Sequence, residues 1–121
     1  MRPTPSEEAH AVGRITRAHG RVLFVDAISG LAGDTLRLDE WGVGVCVGVA
    51  NKCVQGIPGI GFVLTKRSEM QRMAEIPPRS VYMHLPRHFA AHEKHTVPFT
   101  AAVQVLYALD EALNELLEEG V

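Results

Sequence analysis

The sequence predicts an α/β chain built on a partial, mixed, mostly parallel sheet with flanking helices. Three observations predict it. Residues 43–50 alternate strictly, with Val43, Val45, Val47 and Val49 on one side and Gly44, Cys46, Gly48 and Ala50 on the other. Period two with β-branched residues on one face is a strand, and a small second face means burial on both sides with a close neighbour. A second apolar run, residues 22–25 (VLFV), ends directly on Asp26. A third, residues 60–65, follows the first strand after only a Gly-Pro turn.

Composition sets the outer limits. At 121 residues and 46% apolar, the chain is at most one domain, large enough for a real core. A net charge of −2 gives no push towards nucleic acid. No apolar run approaches the roughly 20 residues that span a bilayer, and the opening MRPTPSEEAH carries no apolar signal segment. The two cysteines, Cys46 and Cys53, do not make a CxxC pair, and a reducing cytoplasm is the expected setting.

In chain order, Thr4-Pro5-Ser6-Glu7 predicts a capping box, with Thr4 as N-cap and Pro5 in the first helical position. Ala9, Val12 and Ile15 give that helix a narrow apolar face, and Gly20 stops it. The strand over 22–25 follows, then a flexible turn with Ile28, Ser29, Gly30 and Gly33. Residues 36–41 predict a crossover with a short helix or turn, Trp41 packing at its corner. The strand ending before Lys52 comes next. Gln55-Gly56-Ile57-Pro58-Gly59 predicts a turn, so residues 60–65 return antiparallel beside it. Ser68 is a candidate cap for a helix over 69–74, which Pro77-Pro78 breaks, and residues 79–83 suggest a short extended piece. A final helix is expected from Ala101 to about Glu118, with Thr100 as N-cap and a leucine stripe at 106, 109, 113 and 116 or 117. Its Glu-rich end opposes the macrodipole.

The candidate chemistry lies at strand ends. In parallel α/β sheets ligands bind beyond the carboxyl ends of the strands, where Asp26 and Lys52 both fall. A lysine held near the interior there is a candidate amine nucleophile, and the plainer alternative is a lysine reaching out to water. An acid and a lysine on neighbouring strands suit pyridoxal phosphate, lysine holding the cofactor and acid pairing with the ring nitrogen. Asp26 alone also reads as a turn residue. His84, His88 and His92 lie four apart, so His88 and His92 form a possible chelating pair, although Pro86 interrupts the helix start and no nearby acid completes a site.

VDAISG followed by NKCVQGIPGIGFVL resembles the class V aminotransferases of the fold-type I pyridoxal-phosphate superfamily, most nearly the 2-aminoethylphosphonate–pyruvate type. The resemblance runs to PFTAAVQVLYALDEAL and covers nearly the whole chain. It implies that Lys52 is the Schiff-base lysine, Asp26 the pyridinium partner and Ile28 a contact on one ring face. It also implies that Thr100 reaches the cofactor phosphate, usually a neighbouring subunit's. The partners it implies are an amino donor, a 2-oxo acid and a homodimer mate or complementary fragment. Residues 1–121 then correspond to part of the cofactor-binding large domain, without its N-terminal part or the small domain. No arginine matches the one that holds the substrate carboxylate, Arg67 included, and Met83-His84-Leu85-Pro86 departs from the more acidic stretch expected. An aminotransferase with little or no activity as an isolated chain is the expectation. The alternatives are a non-catalytic interaction or dimerisation module and a histidine metal binder.

Overall fold

The computed structural model describes residues 5–120. Its elements are α1 (Pro5–Ala18), β1 (Leu23–Asp26), α2 (Leu38–Trp41), β2 (Val43–Val49), β3 (Gly61–Thr65), α3 (Arg67–Ala74), α4 (Leu85–His92) and α5 (Val103–Glu119). The three strands form one sheet in the order β1-β2-β3. β1 runs parallel to β2, with Asp26 opposite Val47. β3 returns antiparallel, with Val63 opposite Val47. The mixed α/β sheet is the one the sequence predicts, with β1 shifted by one residue so that Asp26 is its last member.

β2 is the buried centre. Both of its faces are covered, and its small side chains are what allow it. A Cβ on Gly48 would stand 2.7 Å from Leu31 Cδ2 and 2.7 Å from Phe62 Cε2, and one on Gly44 would run into Val22. Leu23, Trp41, Val43 and Cys46 form the core cluster, with Ala9, Val25, Leu36 and Leu38 packed against it. α1 reaches this core through Gly13, where a Cβ would collide with the Trp41 carbonyl. Trp41, 5% exposed, closes the corner before β2 and stacks on His10 at 6.3 Å.

The helix ends follow local chemistry in part. Gly20 adopts φ +61°, and its N–H bonds Arg17 O while Arg21 N–H bonds Thr16 O, the double bond of a glycine-terminated helix. The capping box expected at Thr4 lies outside the described residues. Lys66, not Ser68, is the N-cap of α3. The chain turns into that helix immediately after β3, where Lys66 N–H still bonds Gly44 O. Residues 79–83 form no strand; they bend, with Met83 N–H bonded to Ser80 Oγ. Pro86 opens α4 rather than interrupting it, because a proline in the first turn forfeits no helical bond.

Thr100 does not cap α5. The N-cap is Ala102 and no side chain caps it. Phe99 is drawn into an aromatic cluster, 4.9 Å from Tyr82 and 5.7 Å from His88, which holds residues 98–100 out of helical register. α5 turns Ala112 and Leu116 inward and leaves Tyr107 and Leu117 exposed. The sheet, α3 and α4 flank an open apolar groove of about 990 Å³, lined by Phe24, Val47, Leu64, Met70, Leu85 and Phe89.

Candidate functional site

Two loops leave the carboxyl-end edge of the parallel pair, and they carry three of the four candidate residues. The first follows β1. Asp26 is exposed at the strand end, and its Oδ1 accepts the Ile28 N–H at 3.0 Å. This is the turn bond that short acidic side chains make two residues on. It engages one carboxylate oxygen and leaves Oδ2 without a hydrogen-bond partner among the described residues. Ala27 N–H still pairs with Val47 O, so the Asp26 backbone is fixed to β2 on both sides. Ile28 is half-buried beside it.

The second loop, residues 50–60, joins β2 to β3. Ala50 is fully buried, its N–H bonded to Ile60 O, and Gly56 N–H folds back to Ala50 O at 2.8 Å. Within this closure Gln55 N–H bonds Lys52 O at 2.8 Å, and Gln55 takes φ +62° to make the turn. Val54 is buried beneath. The Lys52 backbone is therefore held tightly, while its side chain is exposed and has no ion pair or hydrogen bond among the described residues. Lys52 is not held in the interior as its approach along the strand suggests. β2 ends at Val49, and the loop carries Lys52 outward.

The two loops touch. The Cys53 thiol lies 3.2 Å from the Ser29 carbonyl oxygen, and a Cβ on Gly33 would stand 2.6 Å from the same sulfur. Sequence reasoning passes over Cys53 in this role; its signal is only its place beside Lys52. Cys46, by contrast, is buried in β2. Burial first, and then the nearby Asp26 carboxylate, push its thiol above the ordinary value. The structure thus brings Asp26, Ile28 and the Lys52 loop together. No hydrogen bond joins Thr100 to them among the described residues. The nearest link is Val105, whose methyls lie 3.2 Å from the Cβ position of Gly59, setting the first turn of α5 against the far end of the Lys52 loop.

The histidine segment is organised by aromatic packing. His88 Nε2 sits 2.6 Å from the Tyr82 carbonyl oxygen, a donor's position, and His92 is exposed. Among the described residues no three His, Cys, Asp or Glu side chains converge as metal ligands. No helix there is long and apolar enough to cross a membrane. The donor set beside β1 and β2 does fit a pyridoxal-type group: a carboxylate with a free oxygen, an unpaired amine and a half-buried aliphatic side chain two residues after the carboxylate.

No family model matches the chain. Curated relatives do. The 2-aminoethylphosphonate–pyruvate transaminase of Bacteroides fragilis (strain YCH46) is 35% identical over 111 residues, covering 90% of this chain and 30% of that protein. The enzyme of the same name from Syntrophobacter fumaroxidans is 37% identical over 118 residues, 96% of this chain and 31% of its own length. Among solved structures, pyridoxamine–pyruvate aminotransferase from Mesorhizobium loti superposes with a TM-score of 0.84 at 29% identity, over 93% of this chain and 29% of that one. Ureidoglycine–glyoxylate aminotransferase from Bacillus subtilis gives 0.78 at 25% identity, over 98% and 31%. The chain therefore spans about 30% of the length of the curated relatives it matches.

Proposed function

From a chain homologous to a fragment, about 30% of the length, of the class V aminotransferases, we propose the pyridoxal-phosphate half-site of a transaminase of the 2-aminoethylphosphonate–pyruvate type. The observation that carries this reading is that Asp26, the last residue of β1, and Lys52, in the loop after β2, both lie at the carboxyl ends of two parallel strands whose following loops touch. Ligands of open α/β sheets bind at that edge.

Pyridoxal 5'-phosphate, when bound, supplies the electron sink that lets a bond at an amino donor's carbon break. The chain's own residues do the rest. Lys52 Nζ would hold the cofactor, and as a free amine it would be the base that moves a proton at the donor carbon. Asp26 Oδ2 would pair with the ring nitrogen and keep it protonated, while Oδ1 accepts the Ile28 N–H and fixes the carboxylate plane. Ile28 would shield one ring face. Thr100 would bind the phosphate from the approach to α5, in a homodimer the phosphate of the neighbouring subunit. The amino donor is 2-aminoethylphosphonate, the acceptor a 2-oxo acid such as pyruvate. Both cysteines are free, in keeping with a cytoplasmic setting.

The test is a visible absorption spectrum of the purified chain with pyridoxal phosphate, then borohydride reduction and peptide mapping. Label concentrated on Lys52, absent in Lys52→Ala and weakened in Asp26→Ala, is the expected result. Label scattered equally over Lys52, Lys66 and Lys94 would defeat the reading. A non-catalytic interaction module would then take its place, favoured by the open apolar groove between the sheet and α4.

A further inference from the structure

The loops bearing Asp26 and Lys52 are each rigid on their own. In the first, Gly30 and Leu31 N–H bond Ala27 O, and Gly33 and Asp34 N–H bond Gly30 O, all between 2.8 and 3.1 Å. In the second, the Gln55–Lys52 and Gly56–Ala50 bonds close the turn. Among the described residues one hydrogen bond links the two, from the Cys53 thiol to Ser29 O at 3.2 Å. It spans 24 residues of sequence, starts from the residue next to Lys52 and ends three residues beyond Asp26. Gly33 completes the joint, because a Cβ there would come within 2.6 Å of the sulfur. The β1–β2 pairing anchors the bases of the two loops, and beyond it the Cys53–Ser29 bond is the point that fixes how their outer parts sit against each other.

We propose that Cys53 is a positioning residue: its thiol, clamped between Ser29 O and Gly33, sets where the Lys52 amine stands relative to the Asp26 carboxylate. The proposal rests on the reading of Lys52 and Asp26 as the cofactor's two partners. A sulfur suits the joint. It fills the space that Gly33 leaves and still offers a proton to the carbonyl, whereas methyl groups of similar size would leave Ser29 O without this donor. Asp26 does not depend on the joint for its own geometry, since its turn bond to Ile28 lies within one loop.

The experiment compares the parent chain with Cys53→Ala, Cys53→Val and Cys53→Ser by two readouts, each variant first matched to the parent by far-ultraviolet circular dichroism. The first readout needs no cofactor. Amide hydrogen exchange at Gly30, Leu31, Gly33, Asp34 and Gln55 is expected to speed up about fivefold in Cys53→Ala and Cys53→Val, the scale of one modest hydrogen bond. Exchange across β2 stays as in the parent, and Cys53→Ser restores the loop rates. The second readout is the share of borohydride-trapped pyridoxal phosphate found on Lys52 rather than Lys66 or Lys94, with the pH midpoint of the visible band. Both shift in Cys53→Ala and Cys53→Val and return in Cys53→Ser. If the exchange rates change while the Lys52 share and the midpoint stay, Cys53 only packs, and the positioning role is overturned. If neither readout moves, it is overturned as well. If the parent itself scatters its label, the cofactor reading fails and takes this inference with it, an outcome recognisable without any variant.

Discussion

At the scale of single residues, two thiols on one chain behave oppositely. Cys46 is buried in β2, and desolvation with the Asp26 carboxylate holds its thiol above the ordinary value of 9.0. Cys53 is half-buried. An alkylating reagent at pH 8 is therefore expected to modify Cys53 in the folded chain and Cys46 only after unfolding, as peptide mapping would show. The raised thiol also has a stability consequence. The folded state keeps the proton that the unfolded state gives up near pH 9, so this contribution is complete below that pH and fades as pH climbs through the folded value. Urea midpoints measured from pH 7 to 10.5 should fall at the alkaline end. In Asp26→Asn the fall should begin at the same pH, level off at a lower one and be smaller, because the minor cause is gone and the major one, burial, remains. The turn bond to Ile28 survives in that variant, since the amide oxygen can accept it.

At the scale of elements, glycines separate two kinds of constraint. Gly13 lies inside α1, where alanine would gain about 1 kcal/mol of helix propensity. Its Cβ would collide with the Trp41 carbonyl, however, and overpacking against backbone costs about 1–3 kcal/mol or more. Gly13→Ala is therefore expected to destabilise despite the better helix former. Gly20→Ala meets nothing within 4 Å and loses about 1 kcal/mol to its left-handed φ alone. Chemical denaturation of the two variants checks the difference. Such local constraints were legible: the alternation of β2, the Gly20 stop and the tight β2–β3 return all follow from neighbours in sequence. The misreadings share a cause. Thr100 reads as a cap until Phe99 is seen on Tyr82 and His88, from segments far upstream. Lys52 reads as interior until Gly56 is seen folding back on Ala50, which ends the strand early and turns the lysine outward. The Cys53–Ser29 joint was not legible, because nothing in either segment alone says that they meet.

At the scale of the whole molecule, the centre of the sheet is buried while an apolar groove beside it stays open. The core cluster around Trp41 and Cys46 is closed, whereas Phe24 is 60% exposed and opens into the groove of about 990 Å³, which reaches Val43 and Leu38 as well. An apolar surface of this kind takes up hydrophobic dyes. Native chain is expected to enhance anilinonaphthalene sulfonate fluorescence without denaturant, and Phe24→Ser to reduce the signal while leaving the circular dichroism intact. Unchanged dye fluorescence in that variant would place the dye elsewhere. The order of the sheet has a temporal meaning too. β2 and β3 are joined by the short Lys52 loop, whereas β1 must reach β2 across the longer α2 crossover. Hairpins of this length close in about 1–10 μs, and non-local parallel pairing is slower. Pulse-labelled amides of β2 and β3 should thus gain protection before those of β1. The lysine's loop is then made early in the life of each newly synthesised chain, and the aspartate is delivered to it afterwards.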